Sequence, residues 1–98
     1  MLDAAASAQR LISGMDLVQY SSDRKTQLAV ERCLEITGEA ARNISAGFRE
    51  AHPEVPWRRI IGQRNVLIHE YGEIKQARVW KTVVEDIPML IEFLRRFV

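Results

Sequence analysis

Four stretches of the chain repeat their apolar residues at intervals of three and four, the spacing that lines one face of an α-helix. The first covers residues 2–13, with Ala5, Ala8 and Ile12 on one stripe and Gly14 as its stop. Its stripe is thin and no capping residue stands before Leu2, so the pattern predicts a short helix. The second is the most regular. Ser21, Ser22 and Asp23 offer N-caps, and Ala29, Val30, Cys33, Leu34, Thr37, Ala40, Ala41 and Ile44 then share one face, with Gly47 as the stop. The third opens at Pro56, a residue suited to the first helical position. It carries Trp57, Ile60, Ile61, Leu67 and Ile68 as core candidates before Gly72 ends it. The fourth runs from Gln76 to Phe97 on a stripe of Val79, Val83, Ile87, Leu90, Leu94 and Phe97, flanked by Trp80, Val84 and Ile91. Pro88 lies inside it, where a missing N–H and a bulky ring predict a kink.

The stretches between are read as connectors. Residues 14–23 form a loop that folds Met15, Leu17 and Tyr20 back onto the core. Residues 48–55 contain His52-Pro53, and a residue before proline avoids helical geometry, so His52 reads as a loop histidine. Gly38 and Gly62 each interrupt a helix, where glycine costs about 1 kcal/mol against alanine. Both predict the close approach of another helix. No period-two run, repeat, linker or low-complexity tract appears. The expected fold is all-α: one domain over residues 1–98, an antiparallel four-helix bundle with a short first helix and a last helix kinked at its proline.

Composition narrows the partners. With 47% apolar and 28% charged residues the chain has ordinary globular content. A net charge of +1 argues against a broad nucleic-acid face and leaves room only for a local basic patch. The single cysteine, Cys33, excludes a disulfide framework or a cysteine metal site, and its apolar helix face predicts a buried, inert thiol. No stretch approaches the ~20 apolar residues of a membrane span, and no cationic leader precedes the alanine-rich start, so a cytoplasmic protein is expected. Glu35 and Glu39 lie one turn apart beside the apolar face of the second helix; a solvated face and a polar contact to a site are both open.

Chemistry concentrates in Arg64-Asn65-Val66-Leu67-Ile68-His69-Glu70-Tyr71. Arginine presents a planar fork suited to phosphate oxygens, and histidine exchanges a proton near neutral pH. Tyrosine adds a hydroxyl able to donate, accept or carry a covalent group. Five residues turn an ideal helix by about 500°, so Arg64 and His69 stand about 140° apart, whereas Arg64 and Tyr71 share nearly one face. Fraying at Gly72, or a two-fold dimer placing two copies of the stretch across one cleft, would gather all three. Such a cleft suits RNA cleavage, in which a ribose 2′-OH attacks its own phosphate with the help of a base, an acid and a cation. Arg58, Arg59 and Arg64 supply the local basic patch. There is no glycine-rich phosphate loop, no metal-ligand spacing and no Ser-His-Asp set, so a mechanism without metal or cofactor is expected. On these residues alone, an arginine and a histidine on a helix are more often surface and end-cap groups than catalytic ones.

Arg64-Asn65-x-x-x-His69-x-Tyr71 resembles the Arg-x-x-x-x-His-x-Tyr motif of the HEPN superfamily, in its HepT-like branch. The likeness extends to Leu34-Glu35-Ile36-x-Gly38-Glu39-Ala40-Ala41, to His52-Pro53-x-x-Pro56-Trp57, to His69-Glu70-Tyr71-Gly72, and to Val79-Trp80 with Glu85-Asp86-Ile87-Pro88. The resemblance implies an all-helical homodimer that acts as the ribonuclease toxin of a toxin–antitoxin pair. Its partner would be a small nucleotidyltransferase antitoxin that transfers AMP to the motif tyrosine, Tyr71 here. Carried over, Arg64 binds or polarises the phosphate, His69 is the acid and base, and Asn65 and Tyr71 support the site; Arg58 and Arg59, from the basic patch, are the expected RNA contacts. Family members usually carry about a turn more helix ahead of Met1, in keeping with the thin first stripe. The alternative, from another class, is a non-catalytic helical module that docks a nucleotidyltransferase through the same motif.

Overall fold

In the computed structural model, which describes residues 1–69 and 74–97, every regular element among the described residues is helical. In chain order these are α1 (Leu2–Leu11), α2 (Leu17–Ser21), α3 (Arg24–Arg42), α4 (Ala46–Ala51) and α5 (Trp57–His69). A final helical stretch contains α6 (Gln76–Lys81), a π-helical turn (Thr82–Asp86) and α7 (Ile87–Arg95). The long segments close a ring: α1 packs on α3, α3 on α5, α5 on the π-turn, and α7 back on α1. That ring is the antiparallel four-helix bundle expected from the periodicity, with short connectors returning the chain along its neighbour. Among the described residues no helix is long and apolar enough to cross a membrane.

Local chemistry sets the boundaries. Asp23 is the cap that α3 uses, its carboxylate accepting from the Thr26 backbone N–H at 3.0 Å. That hydrogen bond is the main cause that holds the Asp23 carboxyl below the usual carboxylate range. Two connectors contain helices that the apolar pattern misses, because caps rather than stripes define them. Asp16 and Gln19 form a reciprocal capping box at 2.8 and 2.9 Å and start α2 within residues 14–23. Ser45 caps α4 through the Phe48 N–H at 3.1 Å. Consequently α3 stops at Arg42, and Gly47, expected as its stop, lies inside α4.

The core takes its members from each predicted stripe. Val30 and Leu34 of α3, Ile60 and Leu67 of α5, and Val79, Val83, Ile87 and Leu90 of the last stretch are all buried. Each such side chain is worth roughly 1.5–3 kcal/mol of burial. The expectation fails at the ends. Phe97 is 60% exposed, and Cys33 is only partly buried, although that burial still pushes its thiol up. Phe93, outside the predicted stripe, is buried instead; it meets Trp57 edge-on at 5.7 Å and the His52 ring at 5.0 Å. His52 is a loop residue as expected, and its backbone carbonyl accepts from Trp57 Nε1 at 2.9 Å.

Tyr20 does fold back onto the core. It is fully buried, stacks at a tilt on Trp80 at 5.4 Å, and donates to Gln76 Oε1 at 2.8 Å. Gln76 Nε2 in turn donates to Glu31 Oε2 at 2.8 Å, which ties α2, α3 and the start of α6 together. Burial first, and the Glu31 carboxylate second, push the Tyr20 hydroxyl up, so it stays a donor.

The irregularity expected at Pro88 takes the form of the π-turn just before it. There the Ile87 N–H donates to the Thr82 carbonyl, five residues back. Proline has no N–H to give and its ring would press on a preceding carbonyl, so the wider turn lets the helix continue into α7. Asp86, on this turn, is buried and faces α5.

Candidate active site

The site begins with a gap on α3. At Gly38 a β-carbon would overlap Cβ of Arg64 and lie 2.9 Å from its Cγ and 3.1 Å from the Ile60 carbonyl oxygen. The predicted close approach is therefore real at this glycine, and what approaches is the stem of the motif arginine itself. One residue on, Glu39 meets the head of the same side chain, with Arg64 Nη2 2.7 Å from Glu39 Oε2. The angle there falls short of a hydrogen bond, so the contact is an ion pair, and Arg64 Nε is buried without a partner among the described residues. Glu39 also stands 3.5 Å from Arg42. Of the two glutamates left open above, Glu39 touches the site, while Glu35 pairs with Arg32 at 3.2 Å along its own helix.

Arg64 is thus held on the α3 side of α5, its side chain only 14% exposed. Its remaining direction matters: Nη1 donates to Asn65 Oδ1 at 2.9 Å. Asn65 is one turn before His69, and side chains four apart are neighbours on a helix surface. The fork therefore reaches round toward the face where His69 emerges. His69 is exposed and is the last residue of α5. The angular gap between Arg64 and His69 seen in the sequence persists, and within one chain Asn65 is what narrows it. Tyr71 and Gly72 lie outside the described residues, so the expected tyrosine position and helix stop do too.

The two arginines assigned to RNA part company. Arg58 is exposed beside a hollow that also contains Asn65. Arg59 is committed to Asp86, donating from Nη2 at 2.9 Å and from Nε at 3.1 and 3.2 Å. Those hydrogen bonds, and then the carboxylate charge, push Arg59 further up, so it is a fixed cation stapling α5 to the π-turn. Sequence reasoning left Glu39 open as a polar contact to the site without naming Arg64 as its partner, and it missed Asp86 as the partner of Arg59. The acids themselves carry no local signal, since each lies more than twenty residues from its arginine. No group of three or more His, Cys, Asp or Glu among the described residues is placed to hold a metal ion.

A helical bundle carrying an arginine fork and a histidine at one helix end defines a class, and comparison with known proteins says which. A family model described as "Ribonuclease HepT-like" matches residues 1–97, and the chain belongs to that family of enzymes. It is 53% identical over 71 residues to the "Probable ribonuclease HepT" of Thermococcus cleftensis, a match covering 72% of this chain and 64% of the relative. It is 39% identical over 90 residues to "Putative RNase MJ1380" of Methanocaldococcus jannaschii, covering 92% of the chain and 83% of the relative. A protein of Caldanaerobacter subterraneus, "Putative RNase TTE0752", is 39% identical over 79 residues, or 81% of this chain and 70% of its own length. No solved structure shows significant similarity to the chain.

Proposed function

We propose that this protein is a metal-independent endoribonuclease, the toxin of a toxin–antitoxin pair, in which residues 1–98 act as one domain in the cytoplasm. The observation that carries the reading is the Arg64 fork: buried at its stem against Gly38, charged against Glu39, and directed by Asn65 toward the side of His69. An arginine so restrained loses little freedom when it meets a phosphate. Two-fold pairing of the α5 ends would place His69 and the partner's His69 on either side of one phosphodiester. One imidazole takes the 2′-OH proton as that oxygen bonds to phosphorus; the other gives a proton to the departing 5′-oxygen. The products are a 2′,3′-cyclic phosphate and a 5′-hydroxyl, and the Arg64 forks offset the charge that builds on the phosphorane oxygens. DNA lacks the nucleophile and is spared.

The family resemblance supplies the regulatory half. A nucleotidyltransferase antitoxin would transfer AMP to Tyr71, two residues past His69, adding phosphate charge and bulk where RNA must lie. The test is cleavage of a defined RNA by purified protein in EDTA, beside the same strand with 2′-deoxyribose. Wild type should cut only the ribose strand, and His69→Ala and Arg64→Ala should each lose at least ~100-fold in rate. RNA left intact by wild type that still binds a nucleotidyltransferase would establish the docking module instead.

A further inference from the structure

The second mid-helix glycine contradicts its expectation. A methyl group placed at Gly62 meets no other atom of the described residues within 4 Å, so none of the described helices packs there. Glycine weakens a helix interior and earns its place where another backbone comes close. Among the described residues no such neighbour stands over Gly62.

Gly62 forms the rim shared by two hollows on either side of α5. One, of about 490 Å³, lies toward α6 and the π-turn, with Arg78 and Lys81 on its wall. The other, of about 620 Å³, lies toward the segment before α5 and contains Arg49 and Arg58. Together they are lined by five cationic and three acidic side chains, and one of those acids, Asp86, is already matched to Arg59. Arg58, Arg78 and Lys81 have no acidic partner among the described residues. In a chain of net charge +1 this is a local cationic excess, and it surrounds Gly62, above which the described residues leave open space. Asn65 and His69 follow Gly62 at three and seven residues, on the same side of the helix and within about 10 Å along its axis.

We propose that Gly62 is the saddle over which a single RNA strand crosses α5. Its phosphates are held by Arg49 and Arg58 on one flank and by Arg78 and Lys81 on the other, and the strand is led along the ridge to His69. The identity of the strand rests on the ribonuclease reading above; its path rests on the geometry. A second copy of the chain is the weaker occupant, because two such faces would set cation against cation.

The measurement is anisotropy of a 2′-O-methyl RNA oligonucleotide, which binds without being cut, titrated at several salt concentrations. Thermal melting and light-scattering mass are recorded for each variant. Gly62→Leu should weaken binding about tenfold or more with mass and fold unchanged, since a side chain on the ridge lifts the backbone off its cations. Gly62→Ala should melt no lower than wild type, because alanine favours the helix, and yet bind more weakly. Arg58→Ala and Lys81→Ala should each lower the salt slope by about one. Equal RNA affinity in Gly62→Leu and wild type overturns the path, as does a change of mass in that variant, which gives the face to a second copy. If Gly62→Leu does not fold, Gly62→Ala and Lys81→Glu decide, and unchanged affinity in both overturns it. Wild type that binds through Gly62 but cuts no RNA removes the ribonuclease and keeps the path. Cleavage and binding equal in wild type and Gly62→Leu remove the path and keep the ribonuclease.

Discussion

At Gly38 the stem of Arg64 occupies the space that a side chain would claim, and at Glu39 its head finds an opposite charge. Gly38→Ala should therefore destabilise the fold by about 1–3 kcal/mol in urea denaturation, the usual range for overpacking, even though alanine is the better helix former. The neighbour that must move is the Ile60 backbone as well as the arginine, so relaxation is limited. Glu39 acts through Arg64 as a positioning residue. Glu39→Ala should lower the rate of RNA cleavage by about ten- to a hundredfold, in line with the cost of misplacing a catalytic group. Glu39→Gln, which keeps an oxygen for the guanidinium, should recover most of that loss while thermal stability changes little in either variant. Equal rates for the two variants would leave Glu39 outside the site. The pairing of residues 39 and 64 was not legible in the chain, because helix periodicity assigns a face to each residue but not the residue that meets it.

Among the elements, caps rather than stripes decide where helices begin. The Asp23 cap is ionised more readily in the folded protein than in the unfolded chain, since the Thr26 N–H prefers the carboxylate. A depressed folded pKa contributes stability above the unfolded value of about 3.9 and loses it as pH falls through the folded one. The wild-type melting temperature should therefore drop more steeply below pH ~4 than that of Asp23→Asn, whose cap does not titrate. Parallel curves would remove this role. Caps also explain the two short helices that the apolar pattern leaves out. Asp16–Gln19 and Ser45 each start a helix too short to show a face of its own. Pro88 was legible as an interruption; its expression as a π-turn was not. The form it took presents Asp86 to Arg59.

For the whole molecule, one bundle carries Arg64 on the α3 side of α5 and His69 on the open side. In the mechanism proposed above, the second imidazole of the acid–base pair comes from a second bundle. Specific activity in RNA cleavage should accordingly fall as the protein is diluted through its dimer dissociation range, with light-scattering mass falling in step. Activity that stays constant while the mass halves would place the whole reaction within one chain.

The sequence by itself determined the four long helical stretches, most of the faces they bury, and the residue types able to cut RNA, because period and side-chain identity are local properties. Only the tertiary structure decided which glycine is filled by a neighbour and which stands open. Gly38 and Gly62 look alike in the chain; one receives Arg64, and the other meets nothing within 4 Å among the described residues. The same holds for the arginines, of which Arg59 is tied to Asp86 and Arg64 to Glu39, while Arg58 has no acidic partner among the described residues. Those differences are set by how four helices turn about their axes as they pack, which no single stretch of sequence encodes.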